Sequence, residues 1–421
     1  MIPFSLKNGT LCVEDIPLPE IAAQYGTPCY VYSHSYLTER ARRFTKALDG
    51  AGKGKALVAF AVKANPSQAI LASFAKEGLG ADVVSAGEIH RAVHAGIPPE
   101  RIVFSGVGKT AEEMRYALEI GIGQFNIESV SEIEMLAEVA TSLGKKAAVA
   151  LRINPDVDPH THAKIATGKA DTKFGIAAED ALSAYEKLAS YPSLKIQGIA
   201  SHIGSQITDL APFEAAAERI YEIITALEKA GHTIETADLG GGLGVRYKDD
   251  QPEPPSIEAY GEMIKRVTKG WNCRLIFEPG RSLIANAGIL LSKVIRVKES
   301  KTARFVILDA AMNDLVRPTL YDAYHEIKAV TPSVQAYQAD IVGPVCETGD
   351  IFAGNRSIPA VKPDDLVAIM SAGAYGATMA SAYNSRPLVA EVMVSGNKSA
   401  LIRKRQSVED LMRDEQKVEW L

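Results

Sequence analysis

Lys63 closes an apolar run, VAFAVK, and is followed at once by Ala-Asn-Pro. A lysine there has two readings. Most lysines keep the ammonium in water. One that ends a buried strand loses water around its amine, which disfavours the charged form and leaves a usable nucleophile. His202 ends IQGIASH beside Gly204 and Ser205. It reads either as a hydrogen-bonded core histidine or as a group facing a ligand across bare backbone. Gly240, Gly241 and Gly242 follow TADL. Consecutive glycines cost chain entropy and add no packing, but their N–H groups can turn toward an anion; a flexible turn is the alternative.

EPGR at 278–281 places Glu278, Gly280 and Arg281 together. Glu278 and Arg281 read as a structural salt bridge, or as groups facing a ligand. In the second case the carboxylate suits a protonated ring nitrogen, keeping a pyridine cationic as an electron-sink cofactor requires. A further group lies later in the chain: Arg317, Tyr321 and His325 in VRPTLYDAYH, Cys346 and Glu347 in VCETGD, and Tyr375 in SAGAYG. Cysteine is usually a buried small hydrophobe. A Cys-Glu pair in a polar, glycine-rich turn suits a proton donor beside an acceptor for an amine.

These residues need a scaffold, and the chain supplies a rhythm from about residue 56. Eight β-rich runs alternate with amphipathic ones: ALVAFAVK, GADVVS, RIVFSG, GQFNIES, AAVALRINP, IQGIASH, TADLGGG and RLIFEPGR. Between them PSQAILASFAKEG, AGEIHRAVHAG, TAEEMRYALEIG and SVSEIEMLAEVATSLG repeat apolar residues at helical spacing. Thr110 with Glu113, and Ser129 with Glu132, predict capping boxes. The pattern predicts a (β/α)8 TIM-type barrel over 32–285, with a doubly wound open sheet as the competing topology. After about 286 the strand-like segments GILLSKVIRVKES, ARFVILDAA, DIVGPVCETGDIF, DLVAIMS, PLVAEVMVSG and SALIRKR follow with few helix patterns. They predict a second, mostly-β barrel or sandwich domain built from 286–421 and the turn-rich 1–31. Barrel enzymes place chemistry at the C-terminal strand ends, often with a phosphate cradle after strands seven and eight. Lys63, His202, the glycines and EPGR fall there.

Composition removes other classes. The formal charge of −5 leaves no basic footprint for nucleic acid or an anionic membrane. Four scattered cysteines suggest neither a metal site nor a disulfide framework, and a reducing cytoplasm is the expected location. No leader-like start and no apolar run of about 18 residues is seen. GVGKT at 106–110 lacks the P-loop glycine, since position 103 is Val103; Lys109 then reads as a solvated residue before a helix. GGGLG at 240–244 is not a dinucleotide fingerprint, since position 245 is Val245.

Taken in order, AVKANP, HIGSQ, GGGLG, EPGR, RPTLYDAYH, GPVCETGD and AGAYGATM resemble the fold-type III pyridoxal-phosphate decarboxylases, most closely the diaminopimelate branch. The resemblance runs along most of the chain. It implies pyridoxal 5'-phosphate joined to Lys63, with His202 stacked on its ring and Glu278 at the ring nitrogen. Ser205, Gly240, Gly241, Gly242 (most directly), Gly280, Arg281 and Tyr375 are implied around the phosphate. Arg281, Arg317, Tyr321 and Tyr375 are implied at the substrate, with Glu347 accepting its far ammonium and Cys346 as the acid. It also implies a homodimer in which Cys346 and Glu347 reach the site from the neighbouring subunit. An arginine suits a planar carboxylate, so meso-diaminopimelate, with a carboxylate and an ammonium at its far end, is the expected substrate. Ornithine- or arginine-type decarboxylation is the alternative, an alanine-racemase-like enzyme and a catalytically inert binding protein being the more distant ones.

Overall fold

The computed structural model describes residues 3–158, 167, 172–248 and 250–421. The chain divides into two compact units, one of residues 38–246 with 252–283, the other of 1–37 with 247–251 and 284–421. Most of the loop 160–175, which the sequence leaves open as a lid or a packed turn, lies outside the described residues.

The first unit is a closed barrel of eight parallel strands. In order they are Leu57–Ala61, Gly80–Val83, Ile102–Phe104, Gln124–Ile127, Ala147–Asn154, Leu194–Ala200, Thr236–Asp238 and Arg274–Phe277. Strand eight pairs with strand one at Ile276↔Leu57, which closes the ring and excludes the open sheet. Seven lie within the runs anticipated from sequence; the sixth, Leu194–Ala200, starts two residues before its run IQGIASH. Strand one is buried at every position, as expected when helices cover the outside. Helices fill the crossovers: Gln68–Lys76, Ala86–His94, Ala111–Ile120 and Val130–Ser142 among others.

One of the two anticipated capping boxes forms, and the other is a one-sided cap. Thr110 and Glu113 make the full reciprocal box. Ser129 accepts the Glu132 N–H, but the Glu132 carboxylate turns inward instead. It takes Lys109 Nζ at 2.6 Å and the Glu128 N–H at 2.8 Å. Lys109 is thus not solvated. Its side chain is 1% exposed and also donates to the carbonyls of Gly106 and Asn126. Three acceptors satisfy all three ammonium protons, which is what makes burial of the charge tolerable.

The second unit is mostly β. Its spine is the twelve-residue strand Gly288–Glu299, which pairs with Cys29–Ser33, Leu366–Ile369 and Arg304–Leu308. Cys29–Ser33 is fully buried because a second neighbour, Ala390–Ser395, pairs with its other edge. An N-terminal meander, Phe4–Lys7, Thr10–Val13 and Ile16–Pro17, contributes Phe4, Leu11, Val13 and Ile16 to the same apolar core. The segment DIVGPVCETGDIF is two strands, Ala336–Val342 and Ile351–Pro359, joined by a turn. Pro344 has no N–H to give a ladder. The Asp350 carboxylate takes the N–H groups of Met312 and Val345, drawing the chain into the turn that carries Cys346 and Glu347.

Candidate active site

The C-terminal end of the barrel gathers most of the anticipated residues of the first unit. Lys63 stands two residues past strand one, in the short 3-10 helix Val62–Ala64. Its amine is not stripped of water as strand-end burial would imply. The side chain is 38% exposed and pairs with the buried Asp82 carboxylate of strand two at 3.0 Å. The other Asp82 oxygen is buried with no hydrogen-bond partner.

Glu278 and Asp238 form a buried carboxyl pair at the ends of strands eight and seven. Burial, then the charges of Asp238 and Asp82, push the Glu278 carboxyl well above its ordinary range. Burial raises Asp238 as well, opposed by hydrogen bonds from Glu278, Asn126 and the Gly240 N–H. Asn126 Nδ2 lies 2.9 Å from Asp238 Oδ2 and 3.4 Å from Glu278 Oε1.

The three glycines work differently from a bare anion nest. The Gly240 N–H donates to Asp238 Oδ1 at 2.9 Å, and the Gly241 N–H to His202 Nδ1 at 3.1 Å. Two of the three are therefore committed to side chains of the chain itself. Gly240 and Gly242 hold φ values of +67° and +115°, which suit glycine. A Cβ on Gly241 would stand 2.2 Å from the Glu278 carbonyl oxygen. His202, accepting at Nδ1, carries its proton on Nε2 when neutral. Burial, then the charges of Arg152 and Lys63, lower its basicity well below the usual range, so the ring stays neutral. Arg281 opens a short helix beside Gly280 and reaches Ser205 Oγ through Nη2 at 3.1 Å.

The second unit holds the remaining group. Arg317 begins the helix Arg317–Tyr321 and is 6% exposed. Its guanidinium lies 4.8 Å from the Tyr247 ring centroid and donates to His325 Nε2 at 2.9 Å. His325 Nδ1 faces the Met370 carbonyl at 2.8 Å, which places the imidazole proton there and leaves Nε2 as acceptor. Tyr321 is half-buried on the same helix. Cys346 and Glu347 are exposed on their turn, where Asn384 Oδ1 accepts the Cys346 N–H at 3.0 Å. Thr319, between Arg317 and Tyr321, donates to the Gly349 carbonyl at 2.9 Å and ties that helix to the turn. Tyr375 sits at φ +56°, a left-handed conformation unusual for a side-chain-bearing residue.

Residues 34–285 match the pyridoxal binding domain of the pyridoxal-dependent decarboxylases. The chain belongs to the pyridoxal-dependent decarboxylase family. A relative in Zymomonas mobilis subsp. mobilis, named diaminopimelate decarboxylase, is 97% identical over the whole of both chains. Among solved structures, the Helicobacter pylori diaminopimelate decarboxylase complexed with L-lysine shares 40% identity at a TM-score of 0.90, covering 94% of this chain and 98% of its own. That of M. jannaschii in co-complex with L-lysine shares 36% at a TM-score of 0.94, covering 99% and 98%.

The residues present fit the pyridoxal group of this decarboxylase family. Asp82, Asp238 and Glu278 concentrate buried acid around one amine, Lys63, and one Asp82 oxygen is orphaned. A cationic pyridine would relieve that imbalance. Sequence reasoning missed Asp82, Asn126 and Asp238, which the decarboxylase barrel places nearest its key groups. A signal was present: Asp82 interrupts the apolar strand GADV, and Asn126 and Asp238 each share a short strand, QFNI and TAD, with a second polar residue two positions earlier. A buried polar side chain in a strand needs a partner.

Proposed function

We propose that this chain decarboxylates meso-2,6-diaminopimelate to L-lysine and carbon dioxide, the closing step of lysine biosynthesis, with pyridoxal 5'-phosphate held on Lys63. The observation that carries the reading is Arg317, a buried guanidinium stacked on Tyr247 and braced by a neutral His325. A pre-set planar fork favours a carboxylate, and diaminopimelate carries one at its far end where ornithine has only an ammonium. The names of the relatives, and the L-lysine bound to two of them, support the same substrate.

Bound pyridoxal phosphate supplies the electron sink for the pair released when the carboxylate leaves. The chain's own residues do the rest. Lys63 would hold the group through its Nζ amine, the one amine beside the buried acids. Glu278 keeps a proton at the ring nitrogen. His202 offers a stacking surface without a charge. Ser205, Gly240, Gly241, Gly242, Gly280, Arg281 and Tyr375 surround the phosphate, with Gly242 closest in role because the N–H groups of Gly240 and Gly241 are committed to Asp238 and His202. Arg281, Arg317, Tyr321 and Tyr375 bind the substrate, and Glu347 takes its far ammonium. Cys346 passes its Sγ proton to the carbon that lost carbon dioxide. Cys346 and Glu347 act in the neighbouring subunit of a homodimer. Four free cysteines support a reducing, cytoplasmic setting.

The test is direct. Purified protein with pyridoxal phosphate and meso-diaminopimelate is expected to yield lysine, and ornithine or arginine to yield no carbon dioxide. Release from ornithine with none from diaminopimelate would overturn the proposal.

A further inference from the structure

Two hydrogen-bonded rungs span from strand four to strand seven inside the barrel. In one, Thr236 Oγ1 donates to Gln124 Oε1 at 2.7 Å. In the other, Asn126 Nδ2 donates to Asp238 Oδ2 at 2.9 Å. Gln124 Nε2 joins them by donating to Asn126 Oδ1 at 2.8 Å. The direction of the relay is set from its acidic end. An ionised carboxylate only accepts, so Asn126 turns its amide to Asp238 and its carbonyl to the Gln124 amide. Gln124 then turns its own carbonyl to the Thr236 hydroxyl, which also lies 3.4 Å from the Gln197 carbonyl. Ser105, Gln124, Asn126, Thr236, Asp238 and Glu278 are each at most 7% exposed, so water does not stand in for a lost partner.

The relay treats the two acids unequally. Asp238 receives a short bond on each oxygen, from Asn126 and from the Gly240 N–H at 2.9 Å. Glu278 Oε1 has only long ones, from Ser105 Oγ at 3.3 Å and Asn126 at 3.4 Å. Short donors hold an ionised carboxylate; weakly served oxygens suit a neutral acid. The other charged groups acting on this pair are Asp82 and Lys63.

We infer that Gln124 and Asn126 are positioning residues that keep Asp238 a standing anion beside Glu278, making Glu278 the acid that protonates the cofactor's ring nitrogen. This rests on the reading that the chain binds pyridoxal phosphate. In the step, the O–H bond of Glu278 breaks, an N–H bond forms at the ring nitrogen, and the Glu278 carboxylate stays paired with the cation it has made. Asp238 is unchanged, and no oxidant or reductant is needed. Without the Asn126 amide, Asp238 takes up a proton and donates it to Glu278. That bond weakens the hold of Glu278 on the ring proton.

The experiment loads wild-type protein and Asn126→Leu with pyridoxal phosphate labelled with 15N in the ring and follows the nitrogen shift against pH. In the wild type the ring nitrogen is expected to stay protonated through the neutral range. In Asn126→Leu the proton is lost at lower pH, and the dissociation constant for pyridoxal phosphate rises by about tenfold or more, since a bond to a charged group is lost. Gln124→Met keeps the Asn126 side chain but removes what orients it. It should shift the titration the same way by less, and circular dichroism checks that each variant is folded. A wild-type chain that binds the cofactor while both variants titrate as it does overturns this inference alone. A wild-type chain that binds no pyridoxal phosphate overturns the functional reading and this inference with it.

Discussion

Lys63 and Cys346 were legible as residues because their types are out of place where they stand, an amine after an apolar strand and a thiol in a polar turn. Their partners were not legible. Asp82, at 3.0 Å from the Lys63 amine, lies in the next strand, and nothing in VAFAVK points to it. Replacing Lys63 with Ala is expected to abolish lysine production and remove the visible absorbance of bound pyridoxal phosphate; a spectrum that keeps the imine band would count against it. Cys346→Ala should slow turnover by about 10²–10⁴-fold, the usual value of one acid, while cofactor absorbance is unchanged. Glu88 offers a pH test. Burial pushes its carboxyl up to about 7, against the opposing hydrogen bond from the Val84 N–H. A carboxyl raised in the folded state supports folding below its unfolded value of 4.5, and that support drains away as pH rises through about 7. In the cofactor-free chain Glu88→Gln should therefore raise the urea midpoint above pH 7 and leave it unchanged below pH 4.5.

Elements were readable where a local rule sets them. The helix at Ala111–Ile120 begins at Thr110 because the hydroxyl and the Glu113 carboxylate satisfy orphan N–H groups three residues apart. Ser129 follows the same spacing, yet Glu132 leaves its box for Lys109, a partner 23 residues away. That pair pins the end of strand three to the helix Val130–Ser142. Lys109→Met should cost roughly 3–5 kcal/mol in denaturant unfolding, since it strands a buried carboxylate, and Lys109→Met with Glu132→Leu should recover much of it. The glycines after strand seven show the same limit. Their number signals a special turn, but only the fold reveals that a Cβ at Gly241 meets the backbone of Glu278 at 2.2 Å. Backbone cannot swing aside as a side chain can, so Gly241→Ala should destabilise the chain by roughly 1–3 kcal/mol and weaken cofactor retention together.

At the scale of the whole molecule, the proposed homodimer makes a prediction no single chain can meet. If Cys346 and Glu347 serve the neighbouring subunit, Lys63→Ala and Cys346→Ala chains are each inactive. After unfolding and refolding together, each mixed dimer owns one intact site. Random pairing should restore about a quarter of wild-type activity, as twofold symmetry requires. No recovery, with mixed dimers verified by mass, would place both residues in one chain's site.

The sequence by itself determined the alternation of eight strands with amphipathic helices, the β-rich remainder and the residue types at the strand ends. These are local properties, written in periodicity and in single residues whose chemistry does not suit their surroundings. Tertiary structure alone decided that strand eight closes on strand one, that Lys109 is interior, and that Gly240 and Gly241 serve Asp238 and His202. It also decided that Asn126 faces Asp238 across 112 residues of chain. The physical reason is that a buried polar group is satisfied by whatever closure of the barrel brings within 3 Å or so, and that neighbour is set by geometry rather than by spacing along the chain.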